Sequence, residues 1–564
     1  MKVVIIGGVA TGPKVAARLR RLQPEAEITI VEQGELISYG ACGLPLYLGN
    51  LVPQLDELMM TSSGLKRDVQ FFRDQKGVQF LTRTKALKIN RSENTVLVQN
   101  LQSGIEQNLP YDTLVLATGA KPFVPPIPGV NLGQVFTLHS PQDAQKLKQI
   151  MQAKKFKHVT ILGAGLIGIE VADALAGPKL KVTICEAGPN VLPKLLDPDM
   201  AQLVERQMRG RGVDIRLSSR IQAFEGDEEG NVRRVIMDQG CIETEAVVIS
   251  AGVRPEVELA KEAGLRIGVT GAIRVDKQMR TNDPLIFAGG DCAEQVHLIT
   301  GKPVYIPLAS TANKQGRVIA DNISGRSVEF STVIGTSVLQ AFDLNVGRTG
   351  LGESEAQELG YNVITSLSSG LDATHYYPMH ESITIKLIAD RDSGSLLGAQ
   401  ICGSGEGIKR LDVLATALKF RATIKDLGSL DLGYAPPFAT AIDVLIHAAN
   451  TLENKRQGLV QGITPERVLQ HLAAREEICF VDVREPEEVG ANPLPVEQVL
   501  TIPLGELRDR WVEVPMASRV VTLCELGIRG YEAACILKGK GRSQVAYLEG
   551  GMSTFGAYAA QLGK

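Results

Sequence analysis

Val3-Val4-Ile5-Ile6-Gly7-Gly8-Val9-Ala10-Thr11-Gly12 is four apolar residues running into a turn bracketed by glycines. An unbroken apolar run of this kind reads as a parallel strand buried on both faces. The pattern predicts a strand over 3–6, a helix over 12–22 and a second strand over 28–31. Gly7 permits the tight turn, and Gly12 lets the helix pack close to the sheet. The helix N-terminus then offers free N–H groups and a positive dipole end to a pyrophosphate. Val9 stands where the usual motif has its middle glycine. Glu32 closes the second strand, where an acid grips a ribose hydroxyl.

The pattern recurs in full at Gly163-Ala164-Gly165-Leu166-Ile167-Gly168, between a strand over 159–162 and a helix over 165–176. Glu186 ends the next strand, 181–185. A carboxylate there accepts from a 2′-hydroxyl and repels a 2′-phosphate, which favours NADH without excluding NADPH. Two further apolar strands end in glycine turns, one at Thr118-Gly119 and one at Ser250-Ala251-Gly252. They are expected at the seam between two nested domains, with Thr118, Gly119 and Gly252 close to the bound cofactors. Phe287-Ala288-Gly289-Gly290-Asp291 ends another strand in small residues, and Asp291 can accept from a ribityl hydroxyl. Cys42 lies in Ser38-Tyr39-Gly40-Ala41-Cys42-Gly43-Leu44-Pro45, with no second cysteine over 43–48. Sulfur chemistry here would run through one thiolate, whose pKa is expected below about 8.5.

These motifs, in this order over roughly residues 1–450, resemble the pyridine nucleotide–disulfide oxidoreductases. The resemblance implies FAD on the first unit and Asp291, NADH on the second, and a C-terminal third that makes a homodimer. The lone Cys42 before Gly-Leu-Pro is similar to the branch holding CoA-disulfide reductases, NADH oxidases and NADH peroxidases. The peroxidases carry an early catalytic histidine; here Ala10 stands in its place and no histidine precedes His139. His375-Tyr376-Tyr377-Pro378 and Tyr434-Ala435-Pro436-Pro437 resemble tracts whose tyrosines reach over the active cysteine of the partner subunit. The alternative is two tyrosines buried at a subunit seam. By the same resemblance Arg18, Arg21, Ser38 and Asn313 contact coenzyme A, although the two arginines at i,i+3 also suit a solvated helix face. Ala41 departs from the family, which usually has Asn before the cysteine.

Val520-Val521-Thr522-Leu523-Cys524-Glu525-Leu526-Gly527-Ile528-Arg529 is a strand ending at a cysteine in a turn that opens a helix. Backbone N–H groups around such a cysteine lower its pKa and hold a persulfide anion. Together with Asp482 and Leu548-Glu549-Gly550-Gly551, this makes residues 463–564 resemble the rhodanese family. The resemblance implies Cys524 as a sulfur carrier and Arg529 as a substrate contact. Glu525 replaces a residue commonly basic, which disfavours thiosulfate, a dianion.

The expected fold is therefore α/β: two nested Rossmann-like nucleotide-binding domains, an α+β dimerisation domain and a C-terminal rhodanese domain. The expected bounds are 1–118 with 253–324 for FAD, 119–252 for NAD(P)H, 325–450 for dimerisation, a polar linker over 451–462, and 463–564 for rhodanese. A net charge of −3, with no basic run interleaved with aromatics, argues against nucleic acid. No run nears the roughly 20 apolar residues of a membrane helix. Eight scattered cysteines suit a reducing cytoplasm. The implied function is NADH-dependent reduction of CoA disulfide, CoA persulfide or polysulfide at Cys42, with sulfur supplied through Cys524. The rivals are an NADH oxidase cycling Cys42 through sulfenic acid, and a redox-sensing interaction protein.

Overall fold

Val3, Val4 and Ile5 have almost no solvent exposure, because strand Lys2–Ile6 lies in the middle of a parallel sheet. The computed structural model describes residues 1–154, 156–496, 499–516 and 519–558. They fall into two units, 1–187 with 219–333, and 188–218 with 334–564 less the undescribed positions.

In the first unit the sheet runs Ile286–Ala288, Thr113–Leu116, Lys2–Ile6, Glu27–Val31, Gln79–Leu81. Ile5 is in register with Val115 on one side and Ile30 on the other. Helices Thr11–Leu22 and Ala309–Ile323 belong to this layer and pack together, Thr11 Oγ1 donating to the Ala312 carbonyl at 3.3 Å. A second parallel set carries Lys181–Cys185, His158–Leu162, Ala246–Ile249 and Val135–Thr137 in that order. The two sets are joined where Ala120–Pro122 pairs antiparallel with Val253–Pro255. Thr118 Oγ1 donates to the Glu256 carbonyl at 2.6 Å, and Glu256 N to the Gly119 carbonyl at 3.0 Å.

The second unit also takes in residues 188–218, part of the stretch expected for the NAD(P)H-binding domain. A buried ion cluster lies within this unit. Lys386 Nζ lies 2.7 Å from Asp199, 3.1 Å from Asp197 and 2.7 Å from Glu353. These carboxylates outweigh the cost of burial and hold the lysine charged. Breaking one partner of such a cluster costs about 3–5 kcal/mol, and Asp199 lies in the first turn of helix Pro198–Gly210.

The second unit has an antiparallel sheet ordered Ser337–Ala341, Leu344–Gly350, Leu396–Gly403, Ser382–Asp390, Val363–Leu371. It also has a parallel sheet ordered Gly462–Ile463, Val545–Leu548, Arg519–Leu523, Ile478–Asp482, Val499–Thr501. The first half of the stretch expected as a linker is helical: 451–456 completes helix Val444–Arg456, and Leu452 is fully buried. Val444, Leu445, Ala448, Ala449 and Leu452 form one apolar stripe, most of which lies before residue 451, so the polar stretch alone concealed it.

Candidate functional site

Gly7 has φ +112°, and a Cβ there would lie 2.0 Å from the Ala117 carbonyl oxygen. Gly163 repeats this against Ser250 at 2.5 Å, with φ +102°. Gly12 and Gly168 each let a helix come within 2.0 Å, Cβ to oxygen, of the preceding turn, while the space beside Gly165 is open. Both turns are thus built for close backbone approach. Glu32 accepts from Gly8 N at 2.8 Å and Gly34 N at 2.7 Å, and Glu186 accepts from Ala164 N at 2.8 Å. Each carboxylate is held at its turn.

Asp291 is half-buried, and that burial raises its pKa. Gly290 N beside it donates to Gln315 Oε1 at 2.7 Å. Gln315 Nε2 and the Tyr305 hydroxyl are buried and have no hydrogen-bond partner among the described residues. Buried polar groups demand partners. A polyhydroxylated ligand on this cradle would meet that demand, so these residues fit a dinucleotide.

Cys42 sits in the single turn Ala41–Gly43 before helix Leu44–Leu48 and is exposed. Its loop is pinned twice. Ser38, buried with φ +49°, donates its amide to the Gly8 carbonyl at 2.9 Å, and Gly40 N donates to the Leu58 carbonyl at 2.8 Å. Arg67 donates to the carbonyls of Met59 and Leu58, and Lys148 Nζ to that of Tyr47 at 2.7 Å. The expectation of a lowered thiol pKa is not met by the protein's own groups. The protein packed about the sulfur, then the Glu170 and Asp291 carboxylates, push the thiol upward. Glu170 is itself raised to about 7, by burial and by Asp173.

Arg18 is not the open cation expected. Its Nε and Nη2 donate to Asp321 Oδ1 at 3.1 and 2.8 Å, tying two packed helices together. Arg21 is exposed, and Asn313 is exposed with Nδ2 donating to the Ala309 carbonyl at 2.8 Å. Tyr376 and Tyr434 lie in the second unit, 63% and 52% exposed. They meet: the Tyr434 hydroxyl donates to Tyr376, which holds its proton and pushes its pKa upward. Thr374, donating N and Oγ1 to the Pro436 carbonyl at 3.2 and 3.1 Å, draws their two tracts together.

Cys524 ends strand Arg519–Leu523 and is 2% exposed. Gly527, at φ +95°, donates its amide to Sγ at 3.2 Å and caps helix Ile528–Gly539. The Arg529 guanidinium also reaches the sulfur, while its Nη1 and Nη2 donate to Glu488 at 2.7 and 2.6 Å. That pairing holds the Glu488 carboxyl down at about 2. Arg484, fully buried, binds Asp482 and reaches Glu525 at 3.3 Å. Glu488, Arg484 and Glu170 were not singled out in the sequence. Only Glu170 had a local signal, two residues past Gly168 on the same helix.

Two dinucleotide-type cradles and a thiol beside the first define a nucleotide-dependent thiol redox protein. The chain belongs to the pyridine nucleotide-disulphide oxidoreductase family, whose model matches residues 1–316. The dimerisation domain of that family matches 337–446, and a rhodanese-like domain matches 464–558. The chain is 37% identical to the NAD(P)H coenzyme A polysulfide/persulfide reductase of Pyrococcus horikoshii, over 80% of this chain and 98% of that one. It is 33% identical to an NADH oxidase of Methanocaldococcus jannaschii, over 80% and 98%. Among solved structures, a NAD-dependent persulfide reductase from A. fulgidus matches at TM-score 0.93 and 42% identity, over 98% of this chain and 100% of that one. Among the described residues, no helix is long and apolar enough to cross a membrane.

Proposed function

We propose that the chain reduces CoA disulfide, CoA persulfide or polysulfide with NADH, through the single thiolate of Cys42. FAD would lie on Gly7, Gly12, Glu32, Thr118, Gly119 and Asp291, and NADH on Gly163, Gly165, Gly168, Glu186 and Gly252. When bound, the flavin supplies two-electron transfer between nicotinamide and sulfur. The protein's share is to hold the thiol. The Ser38 and Gly40 hydrogen bonds fix the loop so that Sγ can attack a sulfur–sulfur bond. With CoA disulfide, one S–S bond breaks, a Cys42–CoA mixed disulfide forms, and one CoA thiolate leaves with the bonding pair. Arg21 and Asn313 are the open polar groups available to coenzyme A, with Arg18 contributing only if it leaves Asp321. Two chains would pair through the dimerisation domain, bringing Tyr376 and Tyr434 to the partner's cysteine.

Cys524 would take the outer sulfur of a persulfide: its thiolate displaces the donor thiolate and becomes a persulfide, held by the Gly527 amide and Arg529. The observation that carries the whole reading is an exposed thiol, Cys42, on a loop that Ser38 N ties to the Gly8 carbonyl of the first dinucleotide cradle; the other exposed thiol of that unit, Cys241, lies away from it on strand Gly240–Glu243. The test measures thiol release and oxygen uptake together as the protein consumes NADH with CoA disulfide. Two thiols per NADH, with little oxygen consumed, support the reading. NADH consumption matched by oxygen uptake and independent of CoA disulfide overturns it in favour of the oxidase.

A further inference from the structure

Glu549 has no part in the sulfur chemistry above, yet its carboxylate is fully buried. One oxygen accepts from the Leu367 amide at 2.9 Å. The other accepts from Lys455 Nζ, which also donates to the Thr365 carbonyl at 2.8 Å. Leu367 and Thr365 belong to Val363–Leu371, the edge strand of the antiparallel sheet. The pair therefore satisfies an N–H and a C=O that an edge leaves open. The fit has no slack, since a Cβ on Gly462 would stand 2.1 Å from Glu549 Oε1.

Two residues further on, Gly551 presses against the cysteine loop. A Cβ there would lie 2.5 Å from the carbonyl oxygens of Cys524 and Glu525. Met552 N and Ser553 N donate to those same carbonyls at 2.9 and 3.0 Å. Residues 549–553 thus join the sheet edge directly to the loop that carries Sγ.

We propose that Glu549 and Lys455 are positioning residues for Cys524, so that the dimerisation sheet sets the geometry of the sulfur-carrying loop. The inference rests on the reading of Cys524 as a sulfur acceptor. Without Lys455 the buried carboxylate loses its counter-ion, and an unpaired charge is too costly to stay buried, so it moves. Movement would carry Gly550 to Ser553 with it and release the carbonyls of Cys524 and Glu525.

The test uses the full flavin-loaded chain with Lys455→Met, Lys455→Arg and the double variant Lys455→Met/Glu549→Gln. Cys524 persulfide formation from a small thiol persulfide is followed by mass spectrometry, and CoA disulfide reduction is measured beside it. Lys455→Met should load sulfur about tenfold more slowly at about pH 8, an order-of-magnitude expectation for a displaced loop. Lys455→Arg should stay close to the parent, and the double variant should load faster than Lys455→Met alone. CoA disulfide reduction should be unchanged throughout. Parental loading by Lys455→Met overturns the proposal, as does an equal loss of both activities, the mark of simple destabilisation. Cys524→Ala separates the two levels: if the chain still accepts sulfur at the parental rate on another thiol, the reading of Cys524 fails rather than the positioning.

Discussion

Replacing Glu186 with Gln should narrow the preference for NADH over NADPH. Glu186 closes strand Lys181–Cys185, with Oε2 held 2.8 Å from Ala164 N in the second glycine turn. Gln keeps an acceptor oxygen for that amide, so the turn should persist and only the charge is lost. Unit like charges about 5 Å apart at an effective dielectric of about 20 repel by about 3 kcal/mol. Glu186 is half-buried, and solvent and salt reduce this to about 1–2 kcal/mol. That corresponds to a factor of about 5–30 in the ratio of kcat/KM for the two nucleotides. The assay is steady-state NADH and NADPH oxidation with CoA disulfide, with flavin content as the control on folding. A ratio within twofold of the parent would refute the reasoning and mean that the ribose is read elsewhere.

Glu170→Gln should move the pH profile of Cys42 alkylation to lower pH. The Glu170 carboxylate raises the thiol pKa, and with its own pKa about 7 it does so fully only above neutrality. Below about pH 6 the carboxyl is protonated, and parent and variant should react alike. A profile unchanged above pH 7 would remove Glu170 from the account. The Lys455 variants already described complete the set that separates the two thiols.

The nucleotide cradles were legible because their physics is local. Gly7 and Gly163 need positive φ, Gly12 and Gly168 need room beside their own turn, and Glu32 and Glu186 end strands that the apolar runs announce. What escaped depends on partners far along the chain. Asp321 claims Arg18 from 303 residues away, and no spacing rule marks that pair. Asp199 meets the buried Lys386 from 187 residues away. Lys455 looks like any polar residue of a connecting segment, yet Glu549 holds it. The upward push on Cys42 likewise comes from the protein packed about the sulfur and then from Glu170 and Asp291, both far along the chain.

The central claim is that one thiol, Cys42, carries electrons from NADH to sulfur. The most direct test is Cys42→Ser, with flavin bleaching by NADH and thiol release from CoA disulfide recorded on the same sample. The account predicts bleaching as in the parent and no thiol release, because residues 43–48 offer no second cysteine to substitute. Thiol release at the parental rate from the variant would contradict it.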